Sequence, residues 1–181
     1  RGNADPWLFS FSKEGRAISL GHLDFVEFLL KGFTREKVAV LYSEGFNPSP
    51  RLALLDPLPL GVSSECEYGI VWLTEPYEAE DLRGRLNLLY EGTGVLFLSF
   101  ARLSREEVKA VQQTILGMPR RYRCEFSSPE DLERFLVHSR LLTVEREGNT
   151  LMVARRPEEG SIVRLFDGFD GPFHIVKLAP P

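Results

Sequence analysis

The residues best suited to chemistry lie in the run LYSEGFNPSPRLALLDPLPLG, between Leu41 and Gly61. Its four prolines restrict the backbone, because each fixes φ, removes a donor and pushes the preceding residue towards an extended conformation. The same run carries a phenol, a second aromatic ring, an amide and a guanidinium, on Tyr42, Phe46, Asn47 and Arg51. A stiff backbone combined with such varied side chains is typical of a shaped binding site rather than a linker.

A larger set of side chains, gathered from two parts of the chain, is predicted to bind a substrate. Its members are Lys13, Arg16, Tyr42, Ser43, Phe46, Asn47 and Arg51. Aromatic rings stack on bases and cations contact phosphates, which is how many proteins hold single-stranded RNA. Because Lys13 and Arg16 follow the first predicted strand, we expect them to lie near the end of the second strand and to complete one basic patch.

The same residues also allow a structural interpretation. Tyr42 and Phe46 would then be core aromatics beneath a proline-rich loop, and Arg51 would pair with Glu44 or Asp56. The residue types alone leave both interpretations open.

One histidine suggests acid–base chemistry. His22 lies in the sequence GHLD, two residues before Asp24, where the spacing of apolar residues predicts the start of a helix. A neutral imidazole there can act as a base or as a hydrogen-bond donor, with Asp24 as its acid–base partner and Arg51 holding an anionic substrate. The alternative is a capping histidine that hydrogen-bonds the local backbone. No metal site is expected, because the histidines and cysteines show no ligand spacing.

The composition excludes several classes of partner. The formal net charge is −4: residues 1–118 carry 12 Lys and Arg against 16 Asp and Glu, and residues 119–181 carry 10 against 10. This balance provides no broad basic field for DNA or an anionic membrane, and no apolar run approaches the roughly 18 residues that span a bilayer.

The isolated thiols of Cys66 and Cys124 fit a reducing compartment, so we expect a cytoplasmic protein. Cofactor-binding motifs are absent from the sequence, and no cofactor is expected in this chain.

Patterns of apolar residues predict an α+β fold. Apolar runs indicate strands over Trp7–Phe11, Lys37–Tyr42, Glu67–Leu73 and Val95–Phe100, and helical spacing indicates helices over His22–Phe33 and Glu78–Tyr90. The resulting order, βαββαβ, is the split βαβ arrangement of a ferredoxin-like sandwich. We assign this domain to residues 1–103 and a linker helix to residues 104–119.

A second, smaller α/β lobe is predicted over residues 120–181. Its elements are a strand over Tyr122–Phe126, a helix over Ser128–Ser139, a hairpin formed by Leu141–Arg146 and Thr150–Ala154, and short strands over Ile162–Phe166 and His174–Leu178. The Gly148–Asn149 pair is expected to form the hairpin turn.

Four short blocks in the first half resemble a known family pattern. The blocks are FSKEGR from Phe11, GHLD from Gly21, YSEGFNPSP from Tyr42 and PLPLGVSSECEY from Pro57. In this order they resemble the bacterial radical-SAM-linked domain family of unknown function, whose members occur alone or fused behind a cobalamin-binding radical-SAM protein. The chain departs from that pattern at Gly21, where the family has Ser, and at Ser49, where it has His. The second departure argues against a site built from paired histidines.

The resemblance implies an accessory role. It suggests a non-catalytic module that presents or recognises an RNA substrate for a radical-SAM partner. The sequence contains no C-x3-C-x2-C motif for an iron–sulfur cluster, so the chain is not itself the radical-SAM enzyme. Two alternatives stay open: an enzyme that uses His22 and Asp24, and a domain that docks a partner protein through an exposed apolar face.

Overall fold

The computed structural model describes residues 3–141 and 145–181. Within these residues the strands are β1 (Asp5–Lys13), β2 (Leu52–Leu55), β3 (Ser63–Leu73), β4 (Val95–Arg102), β5 (Arg120–Phe126), β6 (Glu145–Glu147), β7 (Thr150–Arg155) and β8 (Phe173–Lys177). The α-helices are α1 (His22–Arg35), α2 (Ala79–Leu89), α3 (Glu107–Gly117) and α4 (Pro129–Ser139). The predicted α+β fold class is confirmed.

All eight strands of the described residues belong to one sheet. In the first half the strands lie in the order β4-β1-β3-β2, and each neighbouring pair is antiparallel. The long strand β3 carries β2 along one part of its free edge and β8 along another, where Ser63 and Ser64 pair in parallel with Val176 and Lys177. This short contact joins the two halves of the chain. The ferredoxin-like assignment of the first half and the division into domains stay predictions.

The second strand lies later in the chain than the sequence predicts. Residues 37–42 make only isolated bridges, and β2 begins at Leu52 instead. Both segments lie along the same edge of β3, where residues 37–42 bridge only Leu73 and β2 pairs with residues 68–71. Trp72 accepts a hydrogen bond from the N–H of Leu41 and donates its own N–H to the carbonyl of Arg51, so neither flanking segment forms a continuous ladder there. An apolar run does not indicate which of two neighbouring segments will pair with an edge.

The second half also differs from its prediction at one element. Residues Ile162–Phe166 form a 3₁₀ helix rather than a strand. Ile162 and Phe166, at the two ends of this short helix, are its buried residues. The predicted hairpin contains β6 and β7 with Gly148–Asn149 between them, whereas residues 142–144 of its first strand lie outside the described residues.

Each half buries its own apolar cluster. In the first half, α1 and α2 pack on the sheet over a group of stacked and tilted rings that includes Phe9, Phe33 and Phe97. In the second half, Phe135 of α4 stacks against Phe166, 4.3 Å between ring centroids. The two halves therefore have separate hydrophobic cores and share a sheet.

Two glycines allow aromatic side chains to approach the backbone closely. A Cβ atom at Gly69 would lie 2.3 Å from the ring of Phe9, and one at Gly32 would lie 1.9 Å from the hydroxyl of Tyr90. That hydroxyl hydrogen-bonds the carbonyl of Leu29 at 2.9 Å, which fixes the end of α2 against the middle of α1. The position of α1 matters because its first turn and its exposed face border both candidate sites described below.

Candidate functional site

A loop at one end of β3 carries most of the predicted binding residues. Tyr42 and Pro50 bridge its two ends. The N–H of Ser43 donates to the Ser49 carbonyl at 2.8 Å, and the N–H of Ser49 donates to the Ser43 hydroxyl oxygen at 2.9 Å. We call residues 42–50 the tip loop. Since its base is closed by these hydrogen bonds, Ser43 has a structural role in holding the loop in shape.

The far end of the tip loop faces solvent. Phe46 is fully exposed and Asn47 is exposed beside it. The preceding Gly45 has a φ of 127°, a conformation that disfavours residues with a side chain. The interpretation of Phe46 as a core aromatic is therefore wrong. Its ring is available for contact with another molecule.

Tyr42 lies at the base of the tip loop and is 46% exposed. Together with Pro50 it lines an open groove of about 730 Å³ on the outer side of α1. Lys31 and Arg35 of α1 line the same groove. The core interpretation is wrong for Tyr42 as well, and a group stacked on its ring would lie close to cations.

Arg51 follows the tip loop and stacks on a tryptophan. Its guanidinium carbon lies 5.2 Å from the ring centroid of Trp72, and that of Arg105 lies 5.7 Å from the same ring. Both distances lie within the range of cation–π attraction. Among the described residues Arg51 forms no ion pair, so the predicted pairing with an acid is wrong. Trp72 and Arg105 are not recognisable as site residues in the sequence, because nothing local to either residue indicates that the other lies beside it.

Lys13 and Arg16 do not join the tip loop. Lys13 pairs with Ser64 near the start of β3, whereas Arg51 hydrogen-bonds Trp72 near its end. At the rise of a β-strand, the eight residue steps from Ser64 to Trp72 span about 26 Å. The expected single basic patch is therefore divided between opposite ends of β3.

Lys13 is also buried, at 3% exposure. Its Nζ donates to the carbonyl of Leu20 at 3.2 Å and lies 4.2 Å from the ring centroid of Phe25. Burial lowers the pKa of Lys13, and the nearby carboxylate of Glu67 offsets only part of that effect. Lys13 thus holds α1 against the sheet, while Arg16 in the following 3₁₀ turn is exposed.

His22 and Asp24 lie in the first turn of α1, and both are exposed. His22 lines a cavity of about 20 Å³ with Lys13 and Glu67. Asp24 is not part of that lining. This cavity has room for about one water molecule, so it is too small to hold a substrate beside His22.

Four charged side chains meet at this same end of β3, and we call them the charge cluster: Asp56, Glu67, Arg120 and Lys177. Asp56 accepts two hydrogen bonds of 2.6 Å from Arg120 and one of 2.9 Å from Nζ of Lys177. Lys177 lies 3.0 Å from Oε1 of Glu67, to which the hydroxyl of Ser64 also donates at 2.6 Å. Asp56 follows β2 and Glu67 lies on β3, whereas Arg120 and Lys177 come from β5 and β8. The charge cluster therefore connects the two halves of the chain.

Burial and pairing act in opposite directions on these groups. Burial raises the pKa of Glu67, and its contacts with Lys177 and Ser64 do not compensate. For Asp56, burial is outweighed by the hydrogen bonds from Arg120 and by Lys177, so its pKa is lowered. Burial is likewise outweighed for Lys177, whose pKa is raised by Glu67 and Asp56. Lys177 and Asp56 are thus held in their charged forms, whereas burial disfavours the charged form of Glu67.

The charge cluster was not found from the sequence. Its four members are distant in the chain, and only Glu67, at the end of the fourth sequence block, belonged to a recognisable pattern. Asp56 was considered, with Glu44, as an alternative partner of Arg51, yet it binds Arg120 and Lys177. Three of the four sequence blocks place residues at this end of β3, and the third block forms the tip loop at the other end.

Comparison with protein families gives one match that covers most of the chain. The family model described as "Uncharacterized protein conserved in bacteria (DUF2344)" matches residues 7–153. The chain belongs to this family. The match to this family, DUF2344, contains the tip loop with Arg51, Trp72 and Arg105, and it contains every member of the charge cluster except Lys177. No curated protein matches the chain.

Two further properties of the described residues bear on function. No helix among residues 3–141 and 145–181 is both long and apolar enough to cross a membrane. Within the same residues, no group of three or more His, Cys, Asp and Glu side chains is arranged to hold a metal ion.

Proposed function

We propose that this chain is a non-catalytic binding module that presents or recognises single-stranded RNA for a radical-SAM partner. The observation that carries the proposal is the fully exposed ring of Phe46 at the end of a loop whose base is closed by hydrogen bonds. An apolar ring left in water contributes nothing to folding, because burial is what makes such a side chain stabilising. Its use lies in contact with another molecule.

The surroundings of Phe46 favour a nucleic acid as that molecule. Tyr42 supplies a second exposed ring on the same loop. Stacking on such a ring contributes about 1–3 kcal/mol of binding free energy per base, and any of the bases can stack. Arg51 and Arg105 lie over Trp72 next to the loop base and supply cations for phosphates. Rings for bases combined with arginines for phosphates are what single-stranded RNA requires.

The radical-SAM partner comes from the resemblance of the four sequence blocks. A module that binds RNA and has no cofactor of its own would bring the substrate to an enzyme that carries the reactive cluster. The tip loop contains the whole of the third block, so the residues that carry the resemblance also carry the proposed contact with RNA.

An enzyme based on His22 and Asp24 is the less favoured function. His22 borders a cavity of about 20 Å³, and Asp24 does not line it. A general base must lie within hydrogen-bond reach of the proton that it removes from a substrate, and this cavity holds no substrate-sized molecule.

Fluorescence anisotropy with a short single-stranded RNA, at about 50 and about 200 mM salt, tests the proposal. We expect the intact chain to bind and Phe46→Ala to weaken binding about tenfold, the effect of one lost stacking contact. Arg51→Ala should weaken binding and reduce the salt dependence by about 0.7 in log–log slope, the value for one phosphate contact with a single strand.

Two exposed residues at the opposite end of β3 provide matched controls. Arg16→Ala removes a cation and Leu23→Ala removes an apolar side chain, and both should leave RNA affinity unchanged. Equal losses in Arg16→Ala and Arg51→Ala would show that the tip loop is not the site. Absence of RNA binding by the intact chain would contradict the RNA proposal and make the radical-SAM protein the next ligand to test.

A further inference from the structure

A cavity of about 240 Å³ lies between the two halves, next to the charge cluster. Its wall includes Pro57, Arg120, Tyr122, Ser161 and Lys177. The volume is just below the roughly 300 Å³ at which small-molecule sites begin. It is separate from the tip loop, which lies at the other end of β3, and no part of the proposed RNA contact uses it.

Hydrogen-bond donors on this wall have no partner among the described residues. Arg120 uses Nε and Nη2 for Asp56, which leaves Nη1 unpaired. Tyr122 is 4% exposed, and none of the hydrogen bonds among the described residues involves its hydroxyl. The hydroxyl oxygen of Ser161 is shielded from solvent and also has no partner. Of these three groups only the Ser161 hydroxyl is shielded from solvent, and an unmet donor in such a desolvated place is unfavourable unless another molecule accepts from it.

The donors on the wall select the chemistry of that molecule. Arg120 and Lys177 place two positive charges on the wall, against the one negative charge of Asp56. Glu67 lies outside this lining, but its carboxylate is 3.0 Å from Nζ of Lys177 and offsets the remaining positive charge. A guanidinium nitrogen and two hydroxyl groups can all donate hydrogen bonds, and they match the acceptor oxygens of a carboxylate or a phosphate.

We propose that the cavity between the two halves binds a small molecule through a carboxylate or phosphate group, with Nη1 of Arg120 and the hydroxyls of Tyr122 and Ser161 as donors. The wall combines residues of the first half, Asp56 and Pro57, with residues of the second. The ligand therefore bridges the two hydrophobic cores, and its binding stabilises their arrangement by mass action.

Isothermal titration calorimetry of the whole chain tests the site with two probes, inorganic phosphate and succinate, each against sodium chloride of equal ionic strength. We expect one of the two to bind at a single site, and the choice tells a phosphate ligand from a carboxylate ligand. Tyr122→Phe removes only the hydroxyl and should weaken binding about tenfold, the effect of a hydrogen bond to a charged acceptor. Ser161→Ala should weaken binding about fivefold.

A second buried hydroxyl without a partner supplies the control. Ser139, at the end of α4, is not part of the cavity wall, so Ser139→Ala should bind the probe as the unchanged chain does. Absence of binding by both probes would overturn the proposal and leave water as the occupant. Undiminished binding in both Tyr122→Phe and Ser161→Ala would overturn it too, because the probe would then bind elsewhere, including at the arginines proposed for RNA.

Discussion

The two ends of β3 use polar and aromatic residues in opposite ways. Near its start, the charge cluster combines the buried Glu67 with three half-buried side chains, and their charges are satisfied mainly by one another. Near its end, Phe46 and Arg51 are exposed, and the ring of Phe46 has no packing partner among the described residues. Both ends contain residues from the sequence blocks that carry the resemblance. A recognisable motif can therefore hold a fold together at one place and present a surface at another.

The difference has an energetic consequence. Removing one member of a buried, paired set leaves its partners uncompensated, whereas removing an exposed side chain changes folding little. Substitutions at the start of β3 should therefore change the free energy of unfolding, and those in the tip loop should change binding.

Lys177→Met should give the largest effect. It removes the cation shared by Asp56 and Glu67 while keeping most of the side-chain volume. We expect the free energy of unfolding to fall by about 3–5 kcal/mol, the usual cost of leaving buried charges unpaired. Urea denaturation at neutral pH measures it, and RNA affinity under folded conditions should stay unchanged.

Lys31→Met is the matched control for this substitution. Lys31 pairs with Glu27 on the surface of α1, where both side chains are more than half exposed. Exposed pairs contribute about 0–1 kcal/mol, so this variant should lose little stability. Similar losses in Lys31→Met and Lys177→Met would mean that the charge cluster does not hold the halves together.

The next effect depends on pH. The pKa of Asp56 is lower in the folded chain than its ordinary value, so its stabilising contribution is present above the unfolded pKa of about 3.9 and is lost as the pH falls through the folded pKa. Asp56→Asn removes that contribution at neutral pH. The difference in unfolding free energy between the unchanged chain and Asp56→Asn should therefore shrink as the pH is lowered below about 4.

Urea denaturation between neutral and acidic pH measures this difference, and Asp24→Asn serves as the control. Asp24 is an exposed carboxylate in the first turn of α1, and its removal should change stability little. A constant gap between the unchanged chain and Asp56→Asn at every pH would show that the carboxylate of Asp56 is not what its partners stabilise.

Much of the fold follows from local sequence patterns. The helix at His22 starts where the GHLD sequence predicts, and the strands at both ends of the βαββαβ order lie within the observed β1 and β4. The second strand was misplaced because two neighbouring segments lie along one edge of β3, residues 37–42 at Leu73 and β2 at residues 68–71. Which of the two forms the ladder is settled by tertiary pairing, and periodicity in a single segment carries no record of it.

The candidate sites, like the fold, could be predicted only where their residues are close together in the sequence. The tip loop was predicted because prolines, a glycine and unusual side chains occur together in one short run. The charge cluster was missed because Asp56, Glu67, Arg120 and Lys177 meet only through the pairing of β3 with β8 and β5. Lys13 was placed on the wrong surface for a related reason, since its burial depends on the ring of Phe25 from a separate helix.

The smallest effect is predicted for a residue with positive φ, and it is tested by comparing two such residues, one towards each end of β3. Lys37 has a φ of 55° just after α1 and is exposed, and Asp56 has a φ of 56° in the charge cluster. A left-handed conformation costs an L-residue roughly 1–2 kcal/mol, most of which glycine avoids while it loses more backbone entropy on folding. Lys37→Gly should therefore raise the unfolding free energy by about 0.5 kcal/mol.

Asp56→Gly relieves the same backbone strain, yet it also removes the acceptor for Arg120 and Lys177. Loss of hydrogen bonds to charged groups costs more than the relief of strain supplies, so this variant should be less stable than the unchanged chain. Urea denaturation of both variants gives the comparison directly. Opposite signs would show that the strain at Asp56 is kept because its carboxylate is needed there, whereas stabilisation in both would mean that the charge cluster contributes less than one strained residue.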